Sequence, residues 1–405
     1  MLSDYAAILS GSVGRLVVSL AYFVALANTL PTADFGLFAT ASAAGVVLSR
    51  IVGLGFSSPL YRVATVKRRL LGIYTAGYLT AVALSLPLLA LGSVAFYCAF
   101  FRNDTGFLPF AAIAAAEALL WRSAEIVIIV NNGLSRFRIA AGLVIFGTAV
   151  RAAMAASFTL APVRDLDHWA WWYVAANAVS LAVALWFYPR VRLRLMPRLY
   201  ARRIADSLSV AAAELLFYLQ NELDKLLVLG FGGPDMAGVY AILMRLVDLT
   251  AIPIRSFNMM LVQRMMRDGS LLATWRKRLL AEAGIFAISV AGLMALAAVL
   301  HVFPTILGRS VAPVAGLLPL VLLVPGFRNL VEYHAEVLYA RGQSGVRAAN
   351  LAMLALAKVA LMTLLIAPIA TEPNWPAMLN PVFAALYALS LAVVASALRR
   401  PAIRI

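Results

Sequence analysis

Nine basic side chains stand inside long apolar runs of this 405-residue chain: Arg15, Arg50, Arg122, Arg151, Lys225, Arg245, Arg255, Arg328 and Lys358. Carboxylates stand in the same runs, at Glu117, Glu125, Glu214, Glu222, Asp224, Asp248, Glu332 and Glu336. Arg15, Arg50 and Arg255 have no acid three or four residues away. A guanidinium keeps its charge and grips phosphate oxygens two at a time, so these three are the candidates for holding an anionic ligand. Arg122 and Glu125 are three residues apart, as are Arg245 and Asp248, so each pair shares a helix face and can close on itself. Asp224 and Lys225 are adjacent and point to different faces, which leaves each to find another partner. Glu332 and Glu336 share a face, and two like charges there favour keeping a proton. Proton or sodium coupling is therefore an expectation for Glu125, Asp224, Asp248 or Glu336, with Glu222 and Lys225 in the same polar surroundings. The plainer expectation is structural. Glu332 and Glu336 then take a cation from another helix, Arg122 for instance, and Glu214, Arg328 and Lys358 lie near a membrane interface.

The elements that position these charges are apolar segments. Residues of the AVILMFWYC set make up 63% of the chain and charged residues only 13%. Such a composition excludes an ordinary soluble enzyme, a disordered chain and a collagen-like one. The runs predict spans over about 5–30, 35–57, 71–100, 107–130, 139–161, 170–188, 206–231, 239–261, 279–303, 313–339, 348–369 and 377–398. The expected fold is an all-α integral membrane protein of about 12 transmembrane helices. Each charge facing lipid at mid-membrane costs about 2.5–3.5 kcal/mol, so most of those named must pair, snorkel or face a wet cavity.

The net charge is +16. The cations lie in short loops between apolar runs, which reads as membrane topology and not as nucleic-acid binding. Of the loop and tail cations, 22 fall on one side and only Arg102, Arg164 and Arg309 on the other. By the positive-inside rule both termini are cytoplasmic. Gly232-Gly233-Pro234-Asp235 reads as a tight outer turn, and Trp169, Trp171 and Trp172 as anchors at an outer boundary. One cysteine, Cys98, and three scattered histidines give no disulfide and no metal set, so no cofactor is expected.

Two patches recur. Pro31 leads to Gly36-Leu37-Phe38-Ala39, and Pro234 to Gly238-Val239-Tyr240-Ala241. Gly133-Leu134-Ser135-Arg136-Phe137-Arg138 and Gly342-Gln343-Ser344-Gly345-Val346-Arg347 both read Gly-x-Ser-x-x-Arg. The offsets, 202 and 209 residues, agree closely. A duplicated six-helix unit follows: a first lobe over 1–189, a basic cytoplasmic connector over 190–205, a second lobe over 206–398 and a tail over 399–405.

Pro31-Thr-Ala-Asp-Phe-Gly-Leu-Phe-Ala39, its echo Gly233-Pro-Asp-Met-Ala-Gly-Val-Tyr-Ala241 and Leu223-Asp-Lys-Leu-Leu-Val-Leu-Gly230 resemble segments of Wzx-type polysaccharide and O-antigen flippases. Those belong to the multidrug/oligosaccharidyl-lipid/polysaccharide exporter (MOP) superfamily. The resemblance implies two six-helix lobes in a V and no enzymatic activity. It implies alternating-access transfer of an undecaprenyl-diphosphate-linked oligosaccharide across the bacterial inner membrane. Related lipid flippases carry essential arginines on the first, second and eighth helices, where Arg15, Arg50 and Arg255 lie. The implied partners are the lipid-linked oligosaccharide, membrane lipids, and the polysaccharide polymerase and export machinery. A multidrug or organic-cation exporter of the same superfamily stays open, as does a membrane enzyme of polysaccharide assembly. Tyr61 to Arg69 lacks the Gly- and Asp-containing basic motif of major-facilitator transporters.

Overall fold

The computed structural model describes residues 17–267 and 275–399. Every regular element among them is helical. The chain divides into two compact units, Met1–Tyr218 and Leu219–Ile405. Residues 206–218, assigned to the second lobe from sequence, pack with the first unit.

The first unit holds α1 (Val17–Thr29), α2 (Thr32–Ser49), α3 (Ser57–Val66), α4 (Leu71–Phe96), α5 (Phe107–Ala115), α6 (Arg122–Gly133), α7 (Phe137–Phe158) and α8 (Leu166–Trp186). The start of α9 (Pro197–Arg267) completes it. The second unit holds the rest of α9, α10 (Trp275–Val302), the short α11 (Ala312–Ala315), α12 (Val324–Ala340), α13 (Ser344–Leu365) and α14 (Leu379–Leu398). Eight described helical stretches are long and apolar enough to cross a membrane. Twelve spans were expected. The difference has identifiable sources. α9 carries two expected spans and breaks at Gly233, whose φ of +73° and ψ of −172° suit only glycine and which precedes Pro234. The segments at 107–133 and 312–340 are split into shorter, more charged pieces.

The second expected span, 35–57, is not one helix. α2 stops at Ser49, and Gly53, Leu54 and Gly55 follow with φ of +76°, +47° and +73°. Only glycine takes such angles without strain, so Gly-Leu-Gly was the readable sign of the break. Freed backbone groups inside a membrane protein need partners. The Gly53 N–H donates to Ser85 Oγ at 3.2 Å and the Phe56 N–H to the Gly53 carbonyl at 2.8 Å. At Gly55 a Cβ would stand 2.0 Å from the Ser207 carbonyl oxygen, so α9 packs directly on the break.

Between α5 and α6 the helix widens into one π turn, Ala116–Trp121. Such turns often mark functional positions; here Glu117 lies inside it and Arg122 follows it. The expectation for Trp169 needs correction. Trp169 is fully buried against Phe38, Phe158 and Tyr173, with ring centroids 5.7, 5.2 and 6.0 Å away, while Trp171 is exposed. Helical spacing sends neighbouring residues to different faces, so a run of three tryptophans cannot all meet lipid.

The repeated Gly-x-Ser-x-x-Arg patches have a backbone counterpart. After α6, the Arg136 N–H donates to Asn131 O at 2.8 Å and the Ser135 N–H to Asn132 O at 3.0 Å. After α12, the Gln343 N–H donates to Leu338 O at 3.0 Å and the Gly342 N–H to Tyr339 O at 2.9 Å. Both are Schellman caps with a left-handed residue, Ser135 at φ +62° and Gly342 at φ +71°. The following residues match too: Arg136 at −91°, 53° and Gln343 at −91°, 52°. Geometry thus equates Ser135 with Gly342, two positions away from the sequence match of the two serines' motifs.

A serine at positive φ carries strain that Gly342 avoids. Ser135→Gly is therefore expected to stabilise the protein by about 0.5–1 kcal/mol, and Gly342→Ala to destabilise it by about 1–2 kcal/mol. Thermal unfolding of the detergent-solubilised protein reads both. Gly55→Ala, which adds a clash to the strain, is expected to cost about 1–3 kcal/mol and to be the more damaging of the two alanines.

Candidate functional site

In the first unit, four charged groups from three helices converge. Arg50 caps the C-terminal end of α2 at the break, where the helix dipole favours a cation. Arg122 opens α6, Glu125 follows one turn later, and Glu214 comes from α9. Arg122 Nη1 lies 2.7 Å from Glu125 Oε2, and Nη2 lies 2.9 Å from Glu214 Oε2. Arg50 Nη1 lies 3.2 Å from the same Glu125 oxygen and 4.0 Å from Glu214 Oε2. The Arg50 guanidinium also sits 3.9 Å from the centroid of the Tyr218 ring. Two cations and two anions neutralise each other here. The expected Arg122–Glu125 pair is present. Arg50, which lacks an acid nearby in sequence, takes two from distant helices.

Burial is uneven across this cluster. The side chains of Arg50 and Arg122 are 7% and 2% exposed, and those of Glu125 and Glu214 are 28% and 34% exposed. The carboxylates therefore form its accessible edge. A second network lies behind the π turn. Glu117 Oε1 accepts from Ser42 Oγ at 2.8 Å and from the Tyr173 hydroxyl, while Arg151 Nη2 approaches Oε2 at 3.7 Å. Arg151 is held by Asn177 Oδ1 and lies 4.2 Å from the Trp121 ring. Nearly every polar atom of this network has a partner, which suits a structural role.

In the second unit, Asp224 is buried and accepts from the Tyr240 hydroxyl at 2.6 Å. Lys358 Nζ lies 3.7 Å from Asp224 Oδ2 and donates to the Gln220 carbonyl. Lys225 turns instead to Glu222, one helical turn back at 2.5 Å. The adjacent Asp224 and Lys225 thus find separate partners. Asp248 receives Arg328 of α12 at 3.0 Å, a pairing that the i,i+3 spacing to Arg245 does not suggest. Arg245 lies half-buried one turn before it. Glu336 pairs with Arg347 at 3.2 Å and not with Arg122; Glu332 is half-buried on the same helix. Glu214, Arg328 and Lys358 are members of these networks. Arg15 and the Arg255 side chain lie outside the described residues.

One cluster was missed. His334 is fully buried, with Nδ1 3.1 Å from Ser390 Oγ and Nε2 3.3 Å from Glu282 Oε1. Tyr387 stacks on its ring at 5.5 Å and donates to Glu282 Oε2 at 2.7 Å. Glu282 stands inside the ninth expected span, so its position in an apolar run was the available sign.

Solved structures share this arrangement of helices. An inward-facing multidrug resistance MATE family transporter of the MOP superfamily aligns over 96% of this chain and 99% of its own, with a TM-score of 0.62 and 14% identity. A MOP superfamily transporter from Pyrococcus furiosus, described as having a binding pocket of reverse polarity, aligns over 96% of each chain with a TM-score of 0.58 and 15% identity. The chain has the MATE transporter fold. No family model matches the sequence, and no curated protein does.

Arg122→Ala would leave Glu125 and Glu214, both partly exposed, to Arg50. It is expected to cost about 1–3 kcal/mol, seen as a lower thermal midpoint. Arg50 shares Glu125 with Arg122, so Arg50→Ala and Arg122→Ala are expected to combine non-additively in a double-mutant cycle, by more than about 0.5 kcal/mol.

Proposed function

We propose that the protein is a secondary transporter that exports organic cations by alternating access. The observation that carries this is the accessible carboxylate edge of the Arg50–Arg122–Glu125–Glu214 cluster. A cation arriving there competes with the guanidiniums for Glu125 and Glu214. A proton or sodium ion competes for the same oxygens, which gives substrate and coupling ion a shared seat. Binding shifts the conformational equilibrium only as far as the two states differ in affinity. The break after α2 supports the reading, because transporters build their sites on discontinuous helices with paired backbone around them. The MATE fold over nearly the whole chain supports it as well. The membrane is the bacterial cytoplasmic membrane, with the basic loops and both termini inside.

A second reading is the lipid-linked oligosaccharide flippase, with polymerase and export machinery as partners. Two observations favour it: the flippase-like segments at 31–39 and 233–241, and the buried Nε–H groups of Arg50 and Arg122, which find no acceptor among the described residues. A diphosphate could use those donors.

Two bacterial hosts separate the readings. In a strain stripped of its drug exporters, the wild type is expected to raise the inhibitory concentration of ethidium at least fourfold. Glu125→Gln and Glu214→Gln, expressed equally, are expected to lose that protection. In a strain lacking its polysaccharide flippase, the wild type is expected not to restore surface glycan. Restored glycan that Arg50→Ala abolishes, with no ethidium resistance, would reverse the assignment.

A further inference from the structure

Away from the charge cluster, the basic-loop side of the first unit carries an open cavity rimmed by exposed arginines. After α8 the chain runs without regular structure over 189–196, across the start of α4. It is pinned there. A Cβ at Gly72 would stand 2.1 Å from the Arg192 carbonyl oxygen, so the close approach requires glycine. The Tyr200 hydroxyl donates to Ile73 O at 2.8 Å and accepts from the Met196 N–H at 3.1 Å. Val191, Leu199 and Tyr200 pack into the apolar core with Phe56, Leu60 and Tyr74. This places Arg192 and Arg194 beside Arg68 and Arg69, which precede α4. The four arginines, with Gly72, Ile73 and Val191, line a cavity of about 370 Å³ that no carboxylate lines.

The same segment reads Arg190-Val191-Arg192-Leu193-Arg194-Leu195. Val191 turns into the core, while Leu193 and Leu195 are 55% and 70% exposed. Leucines left uncovered between arginines suit a bilayer interface, with the leucines toward acyl chains and the guanidiniums at headgroup depth. Four cations around one cavity repel one another, and an anion relieves that repulsion. We propose that this cavity binds the phosphate of an anionic phospholipid headgroup in the leaflet on the basic-loop side. Guanidiniums suit the task because each can hold two phosphate oxygens. The proposal is independent of what the protein transports.

The exposed leucines favour a lipid over a free phosphate, and the test separates them. Full-length protein in neutral detergent is titrated with dioleoylphosphatidylglycerol or dioleoylphosphatidylcholine and read by native mass spectrometry. The wild type is expected to prefer phosphatidylglycerol at least tenfold. Arg192→Gln/Arg194→Gln is expected to lose at least tenfold of that binding. Arg198→Gln/Arg202→Gln, equal in charge removed but outside the cavity, is expected to lose less than threefold. Arg192→Lys/Arg194→Lys keeps the charge and loses the fork, and is expected to lose threefold or more; it decides the matter if the glutamine variant does not fold. Equal losses in the two glutamine variants would reduce the effect to bulk surface charge and overturn the site. Undiminished binding in the lysine variant would overturn it too. Displacement of the lipid by millimolar inorganic phosphate would give the cavity to a soluble anion and overturn the lipid assignment.

Discussion

A guanidinium inside an apolar bundle must be met by carboxylates, and Arg122 imposes that demand on the whole first unit. Its two terminal nitrogens reach Glu125 on its own helix and Glu214 on α9, at 2.7 and 2.9 Å. Glu214 must therefore be delivered by a helix otherwise assigned to the second half, and residues 206–218 pack with the first unit as a result. Arg50 completes the neutralisation only because α2 stops where it does. A continuous helix through 50–56 would carry the chain past this point. The Gly-Leu-Gly break, its Ser85 hydrogen bond and the bare Gly55 face against Ser207 are thus consequences of holding one charge cluster together. Because each carboxylate is near both arginines, removing one arginine shifts its load to the other.

The second unit meets the same demand differently. Its charges include the pairs Lys225 with Glu222, Lys358 with Asp224, Arg328 with Asp248 and Arg347 with Glu336. Tyr240 adds a hydroxyl to Asp224 and so satisfies a carboxylate that one lysine at 3.7 Å holds only loosely. In the first-unit cluster, by contrast, both arginines share the same two carboxylates, and those carboxylates form its accessible edge.

Local spacing made part of this legible. Arg122 with Glu125 is a same-face pair, and adjacency alone showed that Asp224 and Lys225 needed different partners. The all-helical class followed from apolar runs, and the turn at Gly233-Pro234 from residue types that permit nothing else. What spacing could not supply was the identity of distant partners. Arg50 looked free because Glu125 and Glu214 are 75 or more residues away in sequence. Glu336 was offered Arg122 when Arg347, eleven residues on, was the partner. Trp169 was misplaced because a cluster in sequence is not a cluster on a helix face. Arg15 and the Arg255 side chain fall outside the described residues, so the three-arginine site is carried forward by Arg50 alone.

The two Schellman caps show that backbone geometry can match where side chains differ. The backbone hydrogen bonds and the φ and ψ values agree across 207 residues, although the left-handed position is serine in one copy and glycine in the other. Backbone geometry tolerates that exchange at a modest strain, because any residue supplies the same N–H and C=O groups. Charged side chains have no such freedom: moving one orphans its partner, so whole networks must change together. The two helix ends have one form, while the buried charges are arranged differently in the two units. The shared helix-end geometry therefore carries no information about what the charge networks hold, which is fixed by the side chains that pair within each unit.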